Sequence, residues 1–161
     1  MPSQRERIYW DADVFLSYIN GIEDRLAVLD ALLADSASDK GTIELYTSIV
    51  SQVEVAFAKT EQEKKALDAD VEKQIDAMWA DRSALKLVEF HDAISRQARE
   101  LIRMAITRGW SLKPHDAIHL ATAKQMQVAE FHTYDKALDK YSSQIGFSIQ
   151  RPHTGKPRLM P

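Results

Sequence analysis

The feature that most constrains the fold is an alternation between short β-branched or aromatic segments and longer segments with helical apolar spacing. Residues 7–10 (RIYW) and 42–50 (TIELYTSIV) have the composition of buried strands. Over residues 14–33 and 92–108 the apolar side chains recur at the spacing of one helix face. Strands that alternate with helices predict an α/β fold with a largely parallel central sheet.

The remaining segments continue this alternation. Helix is predicted to resume at Ser51 and to occupy residues 61–81, where charges of both signs flank a narrow apolar stripe. Gly109 is a plausible glycine at the C-terminal end of a helix, and Pro114 suits the first turn of the next one. The other predicted elements are residues 85–90 (a strand or the start of a helix), 130–135 (strand), 136–140 (short helix) and 146–150 (strand).

The length of 161 residues suits one domain with one core. We predict that residues 1–150 form this domain and that residues 151–161, with three basic residues and three prolines, form an irregular basic tail. The beginning of the chain lacks the apolar core of a signal peptide, and no stretch approaches transmembrane length. A cytoplasmic location is therefore expected.

Composition also excludes several kinds of site. The chain has no cysteine, so disulfides, cysteine-based zinc sites and thiol nucleophiles are excluded. The formal net charge of -3 argues against a general basic coat for nucleic acid. It leaves room for a nuclease, because a local basic rim or bound cations can offset the repulsion of phosphates.

Four carboxylates lie at or near the predicted carboxyl ends of strands. Asp11 and Asp135 end predicted strands, whereas Glu54 and Asp116 lie in the first turns of predicted helices. In open α/β sheets the functional sites lie beyond the carboxyl ends of the strands. Clustered carboxylates repel one another unless a cation neutralises them, and ligands that are all oxygen suit Mg²⁺ or Mn²⁺.

Each acid also has a purely structural explanation. Ser51 and Glu54 have the spacing of a capping box. Asp13 is a good N-cap for the first helix, Asp135 could cap the helix that follows it, and Asp116 complements a helix dipole. For each residue alone, the structural role is the favoured interpretation. For the four acids together at one edge of a sheet, a metal site is the favoured interpretation.

The acids lie in four segments that together resemble the PIN domain family. The segments are, in order, 9–16 (YWDADVFL), 51–54 (SQVE), 112–123 (LKPHDAIHLATA) and 131–135 (FHTYD). Each is a weak motif alone, but the ordered set is fairly specific. The resemblance implies a three-layer α/β/α sandwich around a five-stranded parallel sheet, and Mg²⁺- or Mn²⁺-dependent hydrolysis of phosphodiester bonds in RNA.

The resemblance also implies roles for individual residues. Asp11, Asp116 and Asp135 would be the main metal ligands, Glu54 would bind the metal directly or through water, and Ser51 and Thr133 would be polar accessories. Two positions depart from the family pattern. Asp13 stands where a neutral Asn or Ser is frequent, so it could add a ligand or only cap a helix, and His119 stands where a small residue is common. Many small bacterial members are VapC-type toxins that form homodimers and are held inactive by an antitoxin protein, and the size of this chain fits that group.

Other functions remain open at this point. His115 and His119 are spaced as in a zinc-hydrolase helix, although Asp116 replaces the usual Glu and no third ligand follows. The chain could also be a non-catalytic PIN-like module that binds RNA or a protein partner. Lys113 and Lys136, which neighbour the acidic motifs, are the candidates for contacts with substrate phosphates.

Overall fold

The computed structural model describes residues 4–154, and its centre is a sheet of five parallel strands in the order β3-β2-β1-β4-β5. The strands are β1 (Glu6–Trp10), β2 (Ile43–Ser48), β3 (Leu85–Val88), β4 (Glu130–His132) and β5 (Ser148–Gln150). The helices are α1 (Ala12–Ile19), α2 (Glu23–Ala37), α3 (Ser51–Glu54), α4 (Lys59–Lys64), α5 (Ala69–Ala80), α6 (Asp92–Thr107), α7 (Pro114–Gln125), a 3₁₀ helix (Lys136–Tyr141) and α8 (Ser142–Ile145).

Helices cover both faces of this sheet. Side chains of β1 alternate between the two faces: Tyr9 enters the core with α6 and α7, and Ile8 and Trp10 enter the core with α1, α2 and α5. The predicted three-layer α/β/α sandwich with a parallel sheet is therefore confirmed. The chain runs outward from β1 through β2 to β3, and then returns to the other side of β1 for β4 and β5. This reversal places a crevice at the carboxyl ends of β1 and β4, the position where open α/β sheets bind ligands.

Two of the predicted helices are each divided into two. The helix predicted over 14–33 is interrupted at Gly21, whose φ of +66° favours glycine, so that α1 and α2 are separate. The helix predicted over 61–81 is broken where Lys65 takes a φ of 54°, and Asp68 then caps α5 by accepting the Asp70 N–H at 2.9 Å. Apolar periodicity continues across the break at Gly21 and so does not reveal it, whereas residues 59–64 (KTEQEK) carry charges but no apolar stripe that could mark the end of α4.

Several local predictions hold. Pro114 opens α7, and Gly109 follows the end of α6 with a φ of +75°. The segment 85–90, predicted to be either a strand or the start of a helix, contains strand β3. Residues 151–154 of the predicted tail lie outside any helix or strand, and the rest of the tail lies outside the described residues. Within residues 4–154, no helix is both long enough and apolar enough to cross a bilayer.

Candidate metal centre

Asp11 follows β1 directly and is only 4% exposed. Among the described residues, its Oδ1 has no hydrogen-bond partner although it is buried. Burial raises the pKa of Asp11 well above its usual value, and the neighbouring carboxylates of Asp13 and Asp116 raise it further, while Thr133 opposes the shift. A bound cation would both satisfy the buried oxygen and remove the repulsion.

Asp13 joins α1 to the turn after β4. Its Oδ2 accepts the hydroxyl of Thr133 at 3.0 Å, and its Oδ1 accepts the backbone N–H of Tyr134 at 3.1 Å. The prediction that Asp13 is the N-cap of the first helix is wrong, because α1 begins at Ala12 and the N-cap position is Asp11, whose side chain makes no capping bond. Asp13 instead ties the end of β1 to the end of β4, across the crevice.

Asp116 lies in the first turn of α7 with 18% of its side chain exposed. Burial raises its pKa, and the negative charges of Asp135 and Glu54 act in the same direction, against the opposing effects of His115 and His119. Since Asp116 also raises the pKa of Asp11, the four predicted acids share one electrostatic environment. The structure thus brings together the carboxylates that the sequence singled out.

Asp135 lies in the turn after β4, because that strand ends at His132 rather than at Asp135 as predicted. Its Oδ1 accepts the Ala137 N–H at 2.9 Å, so the predicted role as a helix cap is confirmed, although the helix is 3₁₀. Its own N–H donates to Oγ1 of Thr133 at 3.1 Å. Thr133 therefore links the backbone of Asp135 to the carboxylate of Asp13.

Glu54 is held by a chain of hydrogen bonds that starts in the core. Its Oε1 lies 2.6 Å from Nε2 of His119, and Nδ1 of the same ring lies 2.6 Å from the hydroxyl of Tyr9. The Tyr9 oxygen in turn accepts the backbone N–H of Ser48 at 2.9 Å. His119 is 1% exposed, so both ring nitrogens make their bonds out of contact with water.

One arrangement of protons satisfies every member of this chain. A carboxylate can only accept, so Nε2 of His119 carries a proton and donates to Glu54. Nδ1 is then an acceptor for the hydroxyl of Tyr9, whose oxygen is left to accept from Ser48. Burial raises the pKa of Tyr9 far above its usual range, which keeps the phenol protonated and able to donate. The side chain of Glu54 is thereby fixed in one orientation.

The capping box predicted for Ser51 and Glu54 does not form, because the N-cap of α3 is Val50 and Ser51 is already helical. The Ser51 hydroxyl is buried, 2.7 Å from Oγ1 of Thr47. Thr47 donates its own proton to the carbonyl of Trp10 at 2.7 Å, so Ser51 is the donor in their pair. Ser51 thus anchors the start of α3 to the ends of β1 and β2, which is a positioning role.

The two histidines of the zinc alternative have different environments. His115 is half exposed, and its Nε2 lies 3.5 Å from Oδ1 of Asp116. His119 uses both ring nitrogens inside the protein. The zinc-hydrolase alternative therefore finds no support in this geometry.

Sequence reasoning missed Tyr9 and the role of His119. One signal was available for His119, because residues three apart on a helix share a face, and His119 follows Asp116 by that spacing. No pattern singled out Tyr9, which reads as one more aromatic residue in a strand. Lys113 and Lys136, the predicted phosphate contacts, are exposed at the beginning of α7 and of the 3₁₀ helix.

Comparison with protein families agrees with this geometry. The family model described as PIN domain matches residues 8–143. The chain belongs to the PIN domain family. The match includes all four acids of the candidate metal centre and both histidines of α7. No curated protein sequence matches the chain significantly.

Several solved structures share this fold. VapBC2 from Rickettsia felis, bound to a DNA fragment from its promoter, aligns with a TM-score of 0.61 and 13% identity over 90% of this chain and 97% of that one. FitAcB from Neisseria gonorrhoeae gives a TM-score of 0.60 and 18% identity, with 90% and 97% covered. VapC20 from Mycobacterium tuberculosis, a sarcin–ricin loop cleaving toxin, aligns with a TM-score of 0.59 and 15% sequence identity, over 87% of this chain and 95% of that one. With sequence identities this low, these structural alignments show a shared fold and no more.

Proposed function

We propose that this PIN-domain protein is a Mg²⁺- or Mn²⁺-dependent endoribonuclease. The observation that carries the proposal is a set of four linked carboxylates: Asp116 interacts electrostatically with Asp11, Asp135 and Glu54, and Oδ1 of Asp11 is buried with no hydrogen-bond partner among the described residues. Such an arrangement is unfavourable unless a cation occupies it. A pure binding surface for RNA would gain nothing from clustered negative charge beside phosphates.

The donor set fits a hard divalent cation, since it consists of carboxylate oxygens. Asp11, Asp116 and Asp135 would hold the ion, and Glu54 would bind it directly or through a water molecule. When bound, the cation would lower the pKa of a bound water and stabilise negative charge on the phosphodiester.

The residues of the chain have distinct parts in this scheme. His119 presents Glu54 in one orientation, so that its free carboxylate oxygen can orient the attacking water and accept its proton. Thr133 and Asp13 hold the turn of Asp135 against the start of α1, which keeps the ligands at a constant separation. Lys113 and Lys136 would bind phosphates next to the scissile bond.

We further propose that the protein acts as a toxin under the control of an antitoxin protein, and that it forms a homodimer. The support is the shared fold with VapBC2, FitAcB and VapC20, the last of which is a sarcin–ricin loop cleaving toxin. Residues 1–150 would form the nuclease domain, followed by a basic tail from residue 151. Co-expression with the product of a small gene directly upstream should abolish cleavage and yield a stable complex.

The decisive experiment compares cleavage of labelled RNAs by the parent protein and by Asp116→Asn. A sarcin–ricin loop oligonucleotide and an unrelated hairpin serve as substrates, in Mg²⁺, in Mn²⁺ and in EDTA. Asp92→Asn is the matched control, because Asp92 lies in the first turn of the neighbouring helix α6 but is exposed and pairs with Arg96 at 2.9 Å. Cleavage should require the cation, disappear in Asp116→Asn and persist in Asp92→Asn.

Two results would contradict the proposal. Cleavage that continues in EDTA, or in folded Asp116→Asn, would show that the acidic centre does not carry the reaction. Binding of Mn²⁺ without cleavage of any RNA would favour the alternative of a non-catalytic module that binds RNA or a partner.

A further inference from the structure

A second cluster of metal-ligating side chains lies outside the acidic centre and consists of Glu130, His132 and His153. Glu130 and His132 occupy alternate positions of β4, so their side chains leave the same face of the sheet. Phe131, between them, packs in the core on the opposite face. His153 comes from the segment just after β5.

The two imidazoles of the cluster contact the same carboxylate oxygen of Glu130. Nε2 of His132 lies 2.8 Å from Oε1 of Glu130, and Nε2 of His153 lies 2.9 Å from the same oxygen. Each of the three side chains offers one possible ligand atom, and these atoms lie within 4.8 Å of one another. Since a ring nitrogen directs its proton or its lone pair along one axis, both imidazoles aim at the position of that oxygen.

The cluster is largely buried and reaches the surface at one residue. Glu130 and His132 are 8% and 0% exposed, so their orientation is set by the core. The side chain of His153 is 29% exposed and lies at the solvent edge of the cluster. The rings of the two histidines are 5.4 Å apart, a separation at which both can reach one ion.

We propose that Oε1 of Glu130 and the Nε2 atoms of His132 and His153 form a Zn²⁺ site, with water as the fourth ligand on the side of His153. Two imidazoles and a carboxylate suit Zn²⁺ rather than Mg²⁺, and three protein ligands with an open position are a known zinc arrangement. Tetrahedral ligands with bonds of about 2.0–2.1 Å lie about 3.3 Å apart. The two Glu–His separations therefore need to open by only about half an ångström.

This site would fasten the end of the domain. His153 follows Glu130 by 23 positions, and a shared ion would hold the segment after β5 against β4. An ion that binds only the folded state raises its stability. The inference does not rest on the proposed ribonuclease activity, because its ligands are distinct from the four acids. The alternative is that both histidines pair with Glu130 and bind no metal.

The test uses untagged protein in which Asp11→Asn and Asp116→Asn have removed two of the four carboxylates of the acidic centre. Calorimetric titration should give one Zn²⁺ per chain, and excess Mg²⁺ should not compete. His153→Ala should weaken the binding by at least about tenfold, since even the loss of a group that only supports a metal ligand has effects of this size. His91→Ala, which removes an exposed histidine from the beginning of α6, should leave it unchanged.

Cobalt provides a second readout. Co²⁺ in place of Zn²⁺ should give the intense visible absorption of a tetrahedral site, and His153→Ala should lose it while its circular dichroism still shows a folded protein. Absence of stoichiometric Zn²⁺ binding, or equal affinity in the parent background and in His153→Ala, would overturn the proposal and leave the cluster as a charge-paired triad.

Discussion

Nε2 of His119 lies 2.6 Å from Oε1 of Glu54, although 65 positions separate the two residues in the chain. The contact joins the first helix after β2 to the last long helix of the fold. Because His119 is buried and also bonded to Tyr9, Glu54 can turn away only if a buried ring loses a partner. If Glu54 serves the proposed metal site, this contact would hold its carboxylate in the working orientation.

Replacing His119 should therefore reduce RNA cleavage without unfolding the protein. His119→Leu removes the donor to Glu54, and we expect the cleavage rate to fall by about 10- to 100-fold, as for other residues that support a metal ligand. His119→Gln retains an N–H that can reach the carboxylate of Glu54, so its cleavage rate should fall less. Single-turnover rates in Mn²⁺, with melting curves for both variants, provide the measurement. Parent-like cleavage by folded His119→Leu would show that Glu54 needs no such support.

Tyr9→Phe should lower the stability of the domain. The change deprives the Ser48 N–H and Nδ1 of His119 of a partner in the buried interior, which costs about 1–3 kcal/mol. Tyr46→Phe is the matched control, because the Tyr46 hydroxyl donates at 3.2 Å to Glu44, whose side chain is 26% exposed, so that water can replace the hydroxyl. Urea unfolding followed by circular dichroism measures both changes. Equal losses in the two variants would contradict the proposed hydrogen-bond chain.

In the metal-free protein, Asp11 and Asp116 should contribute stability that falls as the pH rises above about 4, the ordinary pKa of an aspartate. Burial of Asp11 and Asp116 raises their pKa values in the folded state, so the native protein binds these protons more tightly than the unfolded chain. The resulting stability is present at low pH and is lost as the pH rises through the raised pKa values.

Asp11→Asn should flatten this dependence, because the amide has no charge to bury. Melting temperatures in EDTA at a series of pH values measure the effect, and Asp92→Asn, on the exposed start of α6, should keep the slope of the parent. Saturating Mn²⁺ should raise the melting temperature of the parent most at neutral pH and should have little effect on Asp11→Asn. An unchanged pH slope in Asp11→Asn would rule out Asp11 as a source of the repulsion.

Lys113→Ala and Lys136→Ala should weaken RNA binding and reduce its dependence on salt. Each phosphate contact that is lost should lower the slope of log affinity against log salt by about 0.7 on single-stranded RNA. Fluorescence anisotropy with labelled RNA measures this, on an Asp116→Asn background to suppress cleavage. Lys124→Ala is the control, since Lys124 is exposed in the last turn of the same helix that Lys113 precedes. If all three variants bind alike, the two lysines are ordinary surface charges.

Local patterns were sufficient to predict the fold class and the edge of the sheet where the acids meet. Strands alternate with helices along the chain, which predicts a parallel sheet with its site at the carboxyl ends of the strands. Asp11 follows a predicted strand and Asp116 begins a predicted helix, so both were expected at that edge. The break at Gly21 was not predicted, because apolar spacing persists across a turn when both flanking helices pack on the same core. The break at Lys65 was not predicted, because the charged segment 59–64 has no apolar periodicity from which a helix end could be read.

The sequence by itself determined which elements form and which faces they bury, because periodicity is a local property of the chain. Tertiary structure alone decided which atoms meet. Tyr9 and His119 are 110 positions apart, and their hydrogen bond exists because β1 and α7 pack together in one core. Glu130 and His153 meet because β5 pairs with β4. Contacts of this kind depend on how helices and strands that are distant in the sequence pack against one another. They cannot be read from the pattern of any single segment.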